Sequence, residues 1–261
     1  NEMARKIAQA LDGSAAVTTA GDVVFGLALD EPPQGWHVSN PDYAKEIAAA
    51  LLNKDPVSLE CEAGDASWIL KKGIEFSEEG FPRIRITDRD IEADGNELLY
   101  HPPVLALGVG CERHCPSDHL IEHVEATLAK SGLSKKSIGC VVSIDVKADE
   151  KAVHDLADYL GVPARFFDAE TLEQETLRLK NPSDVVFQEV GCHGVAEGAA
   201  LAAVGSDGEL LVEKHKTGKA TCAIARSGTS LMAETIGRAQ GYLSVIGIGP
   251  GSDEWRSPQA S

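Results

Sequence analysis

Apolar residues along this chain change their spacing several times, and each change marks an element. Residues 104–109 are almost continuously apolar, as in a strand buried on both faces. Leu120, Ile121, Val124 and Leu128 then recur at helical spacing, with Ser117 as the predicted N-cap and Gly132 as the stop. Residues 140–146 predict the next strand, and Val153, Leu156, Ala157 and Leu160 the next helical stripe, closed by Gly161. Residues 164–167 predict a third strand, with Asp168 as the following N-cap. This alternation predicts a mainly parallel sheet with helices on its faces. Residues 183–190 and 195–203 then read as helices, the second rich in small residues. Residues 210–215 and 220–226 read as a hairpin around Thr217-Gly218-Lys219.

Upstream, Ala4, Ile7, Ala8 and Leu11 predict a helix ended by Gly13, and residues 15–18 a short strand. Asn40 as N-cap and Pro41 as first residue open a helix through Tyr43, Ile47, Ala50 and Leu51. Residues 57–61 and 83–87 read as strands, and the charged stretch 87–97 as a loop. His101-Pro102-Pro103 reads as a stiff junction. The fold class expected is α/β, in two α/β units. The C-terminal unit is a mainly parallel sheet flanked by helices with a terminal hairpin. Residues 1–100 form the first region, 101–230 the second, and 231–261 a linker followed by a strand at 243–248 and a Gly-Pro-Gly turn. The opening at Asn1 reads as an entry into a longer protein.

Composition changes this picture in one respect. The 261 residues carry a formal net charge of −17, a field that repels phosphate backbones and anionic membranes. Nucleic acid is therefore not an expected partner. A membrane is not one either, because no apolar run approaches the ~20 residues that span a bilayer. Against that background Lys214, His215, Lys216 and Lys219 form a basic patch fit to collect an anionic small molecule. Six scattered cysteines in a chain long enough to build its own core point to a reducing cytoplasm rather than a disulfide scaffold.

Two loops follow strands, where ligands of parallel sheets gather. In residues 108–115 the glycines let backbone N–H groups approach a ligand, and Arg113 can pair with a carboxylate. A plain tight turn is the alternative. In residues 145–150 three carboxylates, Asp145, Asp149 and Glu150, can shift one another toward acid–base chemistry, or simply favour a helix N-terminus. Glu189, Cys192, His193 and Glu197 form a third polar group. In it His193 serves either as an acid–base near neutrality or as a packing residue. Cys111, Cys115 and the Cys192-His193 pair lack the spacing of a structural zinc site, and no metal is expected.

Five blocks in order carry a family resemblance. They are Gly108-Val109-Gly110-Cys111 with Arg113; Ser143-Ile144-Asp145-Val146-Lys147; Arg165-Phe166-Phe167; Val190-Gly191-Cys192-His193-Gly194-Val195-Ala196-Glu197; and Lys214 through Arg226. Together they resemble the C-terminal domain of the CbiG family, whose stand-alone form is CobE. Thr18-Thr19-Ala20-Gly21-Asp22 and the run from Gly26 resemble the preceding CbiG region more loosely. The tail, Val245 to Trp255, resembles the opening strand and loop of tetrapyrrole methyltransferases, especially precorrin-3B C17-methyltransferase. That likeness places Gly249, Pro250 and Gly251 at an incomplete S-adenosylmethionine site of a fused partner domain.

The CbiG resemblance implies cobalamin biosynthesis: hydrolysis of the cobalt-precorrin-5A δ-lactone with release of acetaldehyde, and no cofactor for this part. It implies a precorrin or cobalt-precorrin as the partner, and a homodimer stays open. Asp145, Glu189 and His193 are the catalytic candidates. Gly110, Cys111, Arg113, Lys147, Lys214, Lys216 and Thr221 are the substrate-binding candidates. The alternative from a different class is a non-catalytic module that binds or hands over precorrins. An unrelated nucleotide-binding domain is weaker, for want of a Gly-Lys-Ser/Thr loop.

Overall fold

The computed structural model describes residues 28–70 and 74–240. The helix read over Ala4 to Leu11, the strands read at 15–18 and 243–248, and Gly249, Pro250 and Gly251 lie outside the described residues. The chain is α/β, built on two sheets flanked by helices.

The first sheet takes β1 (His37–Val38), β2 (Ser58–Cys61), β3 (Arg83–Ile86) and β4 (Glu97–His101) in the order β1-β4-β3-β2. β2, β3 and β4 run parallel, and β1 is antiparallel to β4. Helices α1 (Ala44–Asn53) and α2 (Ser67–Leu70) belong to this unit. Its core gathers Ile47, Ile69, Ile84, Ile86 and Leu98, with Trp36, Trp68 and Tyr100 in edge-on contact at centroid distances of 5.5 to 6.4 Å.

The loop read at 87–97 is found over 87–96, and Pro102-Pro103 joins the two sheets as read, but Glu97 and His101 belong to β4, a strand that the pattern did not show. All five of its residues are buried, including Glu97 and His101. Their polar groups are paired. Arg83 donates to Glu97, and the His101 ring bonds Thr87 O at 3.0 Å and Ser39 Oγ at 3.2 Å. Burial pushes the His101 pKa down to about 4, so the ring is neutral. Polar residues at both ends therefore concealed a central strand. Asn40 is likewise no side-chain cap. Its Nδ2 donates to Glu97 O at 2.7 Å and its Oδ1 accepts from Leu99 N at 3.0 Å, so it pairs with β4 as a backbone would.

The second sheet takes β5 (Leu105–Cys111), β6 (Ile138–Ile144), β7 (Ala164–Phe167), β8 (Glu209–Lys216) and β9 (Ala220–Arg226) in the order β7-β6-β5-β9-β8. β5, β6 and β7 are parallel, and β9 runs antiparallel to both β5 and β8. Helices α3 (Ser117–Ser131) and α4 (Lys151–Leu160) cover one face. α5 (Ala169–Glu173) and α7 (Val195–Val204) cover the other, with α6 (Asp184–Val190) between them in sequence. α7 is buried along almost its whole length, which its alanines and glycine permit. A Cβ on Gly108 would stand 1.9 Å from Ala196 O, so the missing side chain sets how closely α7 approaches β5.

Two boundaries differ from the pattern. β6 ends at Ile144, and Asp145–Lys147 turns as a 3-10 helix that leaves Val146 49% exposed. Pro116 caps α3, while Ser117 donates to Asp155 on α4. Asp168 caps as predicted, accepting from Thr171 N at 2.9 Å.

The sheets are joined directly. Pro102 and Pro103 are buried, and Arg226 on β9 pairs at 3.2 Å with Asp88, which is 1% exposed. Trp36 Nε1 donates to Ser230 Oγ at 3.0 Å.

Candidate functional site

The carboxyl ends of β5 and β6 open onto a cleft of about 530 Å³. Its walls come from five places: the end of β5 with the following loop, the 3-10 turn after β6, α6, the start of α7, and the β8–β9 turn. This is where parallel sheets collect ligands.

All seven predicted substrate-binding residues, Gly110, Cys111, Arg113, Lys147, Lys214, Lys216 and Thr221, line this cleft. They come from positions up to 111 residues apart, the separation of Gly110 and Thr221. Those two are register partners on β5 and β9, with Thr221 Oγ1 donating to Gly110 O at 3.2 Å.

The electrostatics run against the rest of the chain. Five cations line the cleft, Arg113, Lys147, Lys214, Lys216 and Lys219, against two carboxylates, Glu112 and Glu189. Arg113 is paired with Asp149, so in a chain of net charge −17 the attraction for polyanions rests on the four lysines. Among the described residues Lys147, Lys216 and Lys219 make no ion pair.

Arg113 is held by the 145–150 loop. One guanidinium nitrogen donates to Asp149 Oδ1 and the other to Val146 O at 2.6 Å. The Arg113 hydrogen bond holds the Asp149 carboxyl below its usual range. Glu150 accepts from His114 N at 3.0 Å, and His114 itself sits at φ 59°. Asp149 and Glu150 thus shape the 108–115 loop. Cys111 reaches the cleft as a thiol, because burial, with Cys115 and Glu150 nearby, raises its pKa to about 11.

Glu197 sets the far wall. It is 1% exposed and accepts from Lys180 N (2.8 Å), Asn181 N (3.0 Å), Asn181 Nδ2 (2.9 Å) and Lys214 N (2.8 Å). Burial pushes its carboxyl up, but these donors prevail and hold it below the ordinary value. Lys214 is thereby fixed at the cleft, and its Nζ donates to Asn181 O at 2.8 Å.

The catalytic candidates are not brought together. Glu189 lines the cleft from α6. Asp145 begins the 3-10 turn beneath it, half-buried and outside the lining. His193 also lies outside the lining. Its Nδ1 bonds Glu173 at 2.8 Å, its ring stacks on Phe187 at 4.5 Å, and Nε2 stands 3.6 Å from Asp184. The polar group read as Glu189, Cys192, His193 and Glu197 is therefore divided. Cys192 is buried in the core, Glu197 is buried behind the lining, and Glu173 is the carboxylate beside the histidine. Val190, Gly194, Val195 and Ala196, from the fourth resemblance block, also line the cleft, as do Ser183 and Val186, which nothing in their residue types had marked. Among the described residues no group of three or more His, Cys, Asp or Glu side chains is arranged to hold a metal ion, and no helix is long and apolar enough to cross a membrane.

Comparison with known proteins adds the family. Residues 105–225 match "Cobalamin synthesis G C-terminus", and residues 32–102 match "Cobalamin biosynthesis central region". The chain is 46% identical over 125 residues to Protein CobE of Sinorhizobium sp, covering 48% of this chain and 81% of that protein. It is 29% identical over 245 residues to a cobalt-precorrin-5A hydrolase of Priestia megaterium, covering 86% of this chain and 65% of the relative's length. Among solved structures it is similar to CobE, described as a protein from the cobalamin (vitamin B12) biosynthetic pathway. That match has 38% identity, covers 47% of this chain and 89% of that one, and has a TM-score of 0.45. The chain belongs to the CbiG family of cobalamin biosynthesis proteins.

Proposed function

We propose that the cleft at the ends of β5 and β6 binds a polycarboxylate tetrapyrrole, and that the chain acts as a cobalt-precorrin-5A hydrolase. The observation that carries this reading is the cleft's excess of cations within a strongly acidic chain. A precorrin bears many side-chain carboxylates, and fixed lysines and an arginine are natural clamps for them. The Priestia megaterium relative, named for that activity, supports the choice of substrate.

In the first step water adds to the lactone carbonyl, and the ring C–O bond breaks to give a carboxylate and an alcohol. A base must take the water proton, and a cation must stabilise the oxyanion. Glu189, one of the two carboxylates lining the cleft, is the proposed base, and Lys147 and Arg113 are the proposed oxyanion partners. In the second step the hydroxyl proton is removed and the neighbouring C–C bond breaks. Acetaldehyde leaves, and its bonding electrons stay on the macrocycle. Asp145 and His193 remain candidates for this second proton. They act either from just behind the walls or after a movement that brings them to the cleft. Side chains and water suffice, without a cofactor.

A specific observation also favours a non-catalytic hand-over role: Asp145 and His193 stand outside the cleft lining. Incubation of the protein with cobalt-precorrin-5A separates the two readings. Hydrolysis predicts acetaldehyde in proportion to substrate consumed. Tight binding without acetaldehyde would leave only the hand-over role. On sequence resemblance alone we also propose that Gly249, Pro250 and Gly251 open the S-adenosylmethionine loop of a fused methyltransferase. An immunoblot of the native protein at about 27.6 kDa, the mass of this chain alone, would refute that fusion.

A further inference from the structure

α6 differs from the other helices around the second sheet. None of its residues is buried, whereas α3, α4, α5 and α7 each bury side chains. Yet Val186, Glu189 and Val190, one helical face, line the cleft. Val185 and Phe187 on the other side are 65% and 43% exposed. The segment is closed at its neck, where Ser183 N donates to His193 O at 2.8 Å. Gly191 at φ 81° ends the helix, and buried Leu179 precedes the neck. A segment with so little burial and so short a neck opens at low free-energy cost.

Two residues at its C-terminal end tie this segment to the body: Cys192, buried in the core, and His193. The backbone N–H of His193 donates to Glu173 Oε2 at 3.0 Å, and its ring Nδ1 bonds the same carboxylate. The other side of the ring faces α6, stacked on Phe187 with Asp184 beside Nε2. We propose that residues 183–191 form a hinged flap over the cleft and that His193 is its latch, a positioning residue joining Glu173 on the body to Phe187 and Asp184 on the flap. A cleft of about 530 Å³ is the size that holds a drug-like molecule, within the usual ~300–1,000 Å³, and is small for a tetrapyrrole bearing acid side chains. An opening wall answers that mismatch, and its return brings Glu189 onto the substrate. The tetrapyrrole as occupant rests on the function proposed above; the latch does not.

Hydrogen–deuterium exchange on the intact chain tests this. His193→Ala should speed exchange of residues 184–190 about tenfold, the scale of one lost hydrogen-bonded contact, with β5 and β6 unchanged. Phe187→Ala, at an exposed position, should act in the same direction and keeps the test open if the first variant misfolds. Dicyanocobyrinic acid, a cobalt corrin with free carboxylates, should slow exchange of the same residues in the wild type. Wild-type exchange at 184–190 in both variants would overturn the latch, as would faster exchange in β5 and β6 to the same degree. Absence of corrin binding would instead count against the substrate, leaving the latch to be judged by the variants.

Discussion

At the residue scale, the site depends on a few side chains that bond backbone rather than substrate. Glu197 is the clearest, since one buried carboxylate receives four N–H groups from residues 180, 181 and 214. Glu197→Gln turns an amide NH₂ toward those donors and should cost about 2 kcal/mol at neutral pH, the scale of charged hydrogen bonds. The folded carboxyl sits below its unfolded value of 4.5, so the unfolded chain takes the proton first. The stabilisation is therefore present above about pH 4.5 and lost as pH falls through the folded value. Thermal unfolding at pH 7 and at pH 3.5 should show a wide gap between wild type and variant at the first and a narrower gap at the second. Equal gaps would mean that the carboxylate's charge is immaterial. Sequence reading found Glu197 as part of a polar group but not its role, because three of its four donors are backbone N–H groups that residue types do not reveal. Glu173 was missed for a similar reason. It lies 20 residues before His193, in the short helix that Asp168 caps, and no spacing in the sequence pairs that helix with residue 193.

At the element scale, the strand–helix rhythm from residue 104 to 226 was legible because buried parallel strands and amphipathic helices have distinct periods. β4 was not, since Glu97 and His101 are polar residues neutralised by partners from other elements. The packing of α7 on β5 was also invisible, although its cause, Gly108, stands in plain sight. A Cβ there meets Ala196 O at 1.9 Å, so Gly108→Ala must push α7 outward. Overpacking of this kind costs roughly 1–3 kcal/mol or more. Because α7 begins in the cleft wall, the variant should lose affinity for a corrin as well as stability. Isothermal titration with dicyanocobyrinic acid beside a urea melt would check both, and unchanged values in both would show that α7 does not rest on β5 as described.

At the scale of the whole molecule, the chain sets a small basic cleft in an acidic body. The basic patch was visible at Lys214, Lys216 and Lys219, and folding adds Arg113 and Lys147 from across the sheet. Attraction of a polyanion by such a cleft is screened by salt, with a Debye length near 10 Å at 0.1 M and about 3 Å at 1 M. Corrin affinity should therefore fall on the order of tenfold between those ionic strengths, with most of the change in association rate. An affinity indifferent to salt would point to apolar contacts alone. The central claim is that this cleft is where cobalt-precorrin-5A is turned over. Its most direct test is acetaldehyde release by wild type and by the Lys214→Glu/Lys216→Glu variant under identical conditions. The account predicts release by the wild type and at least about a hundredfold lower kcat/KM in a variant whose folding is unchanged, a loss equivalent to two tenfold steps. Release at the wild-type rate by that variant would contradict it.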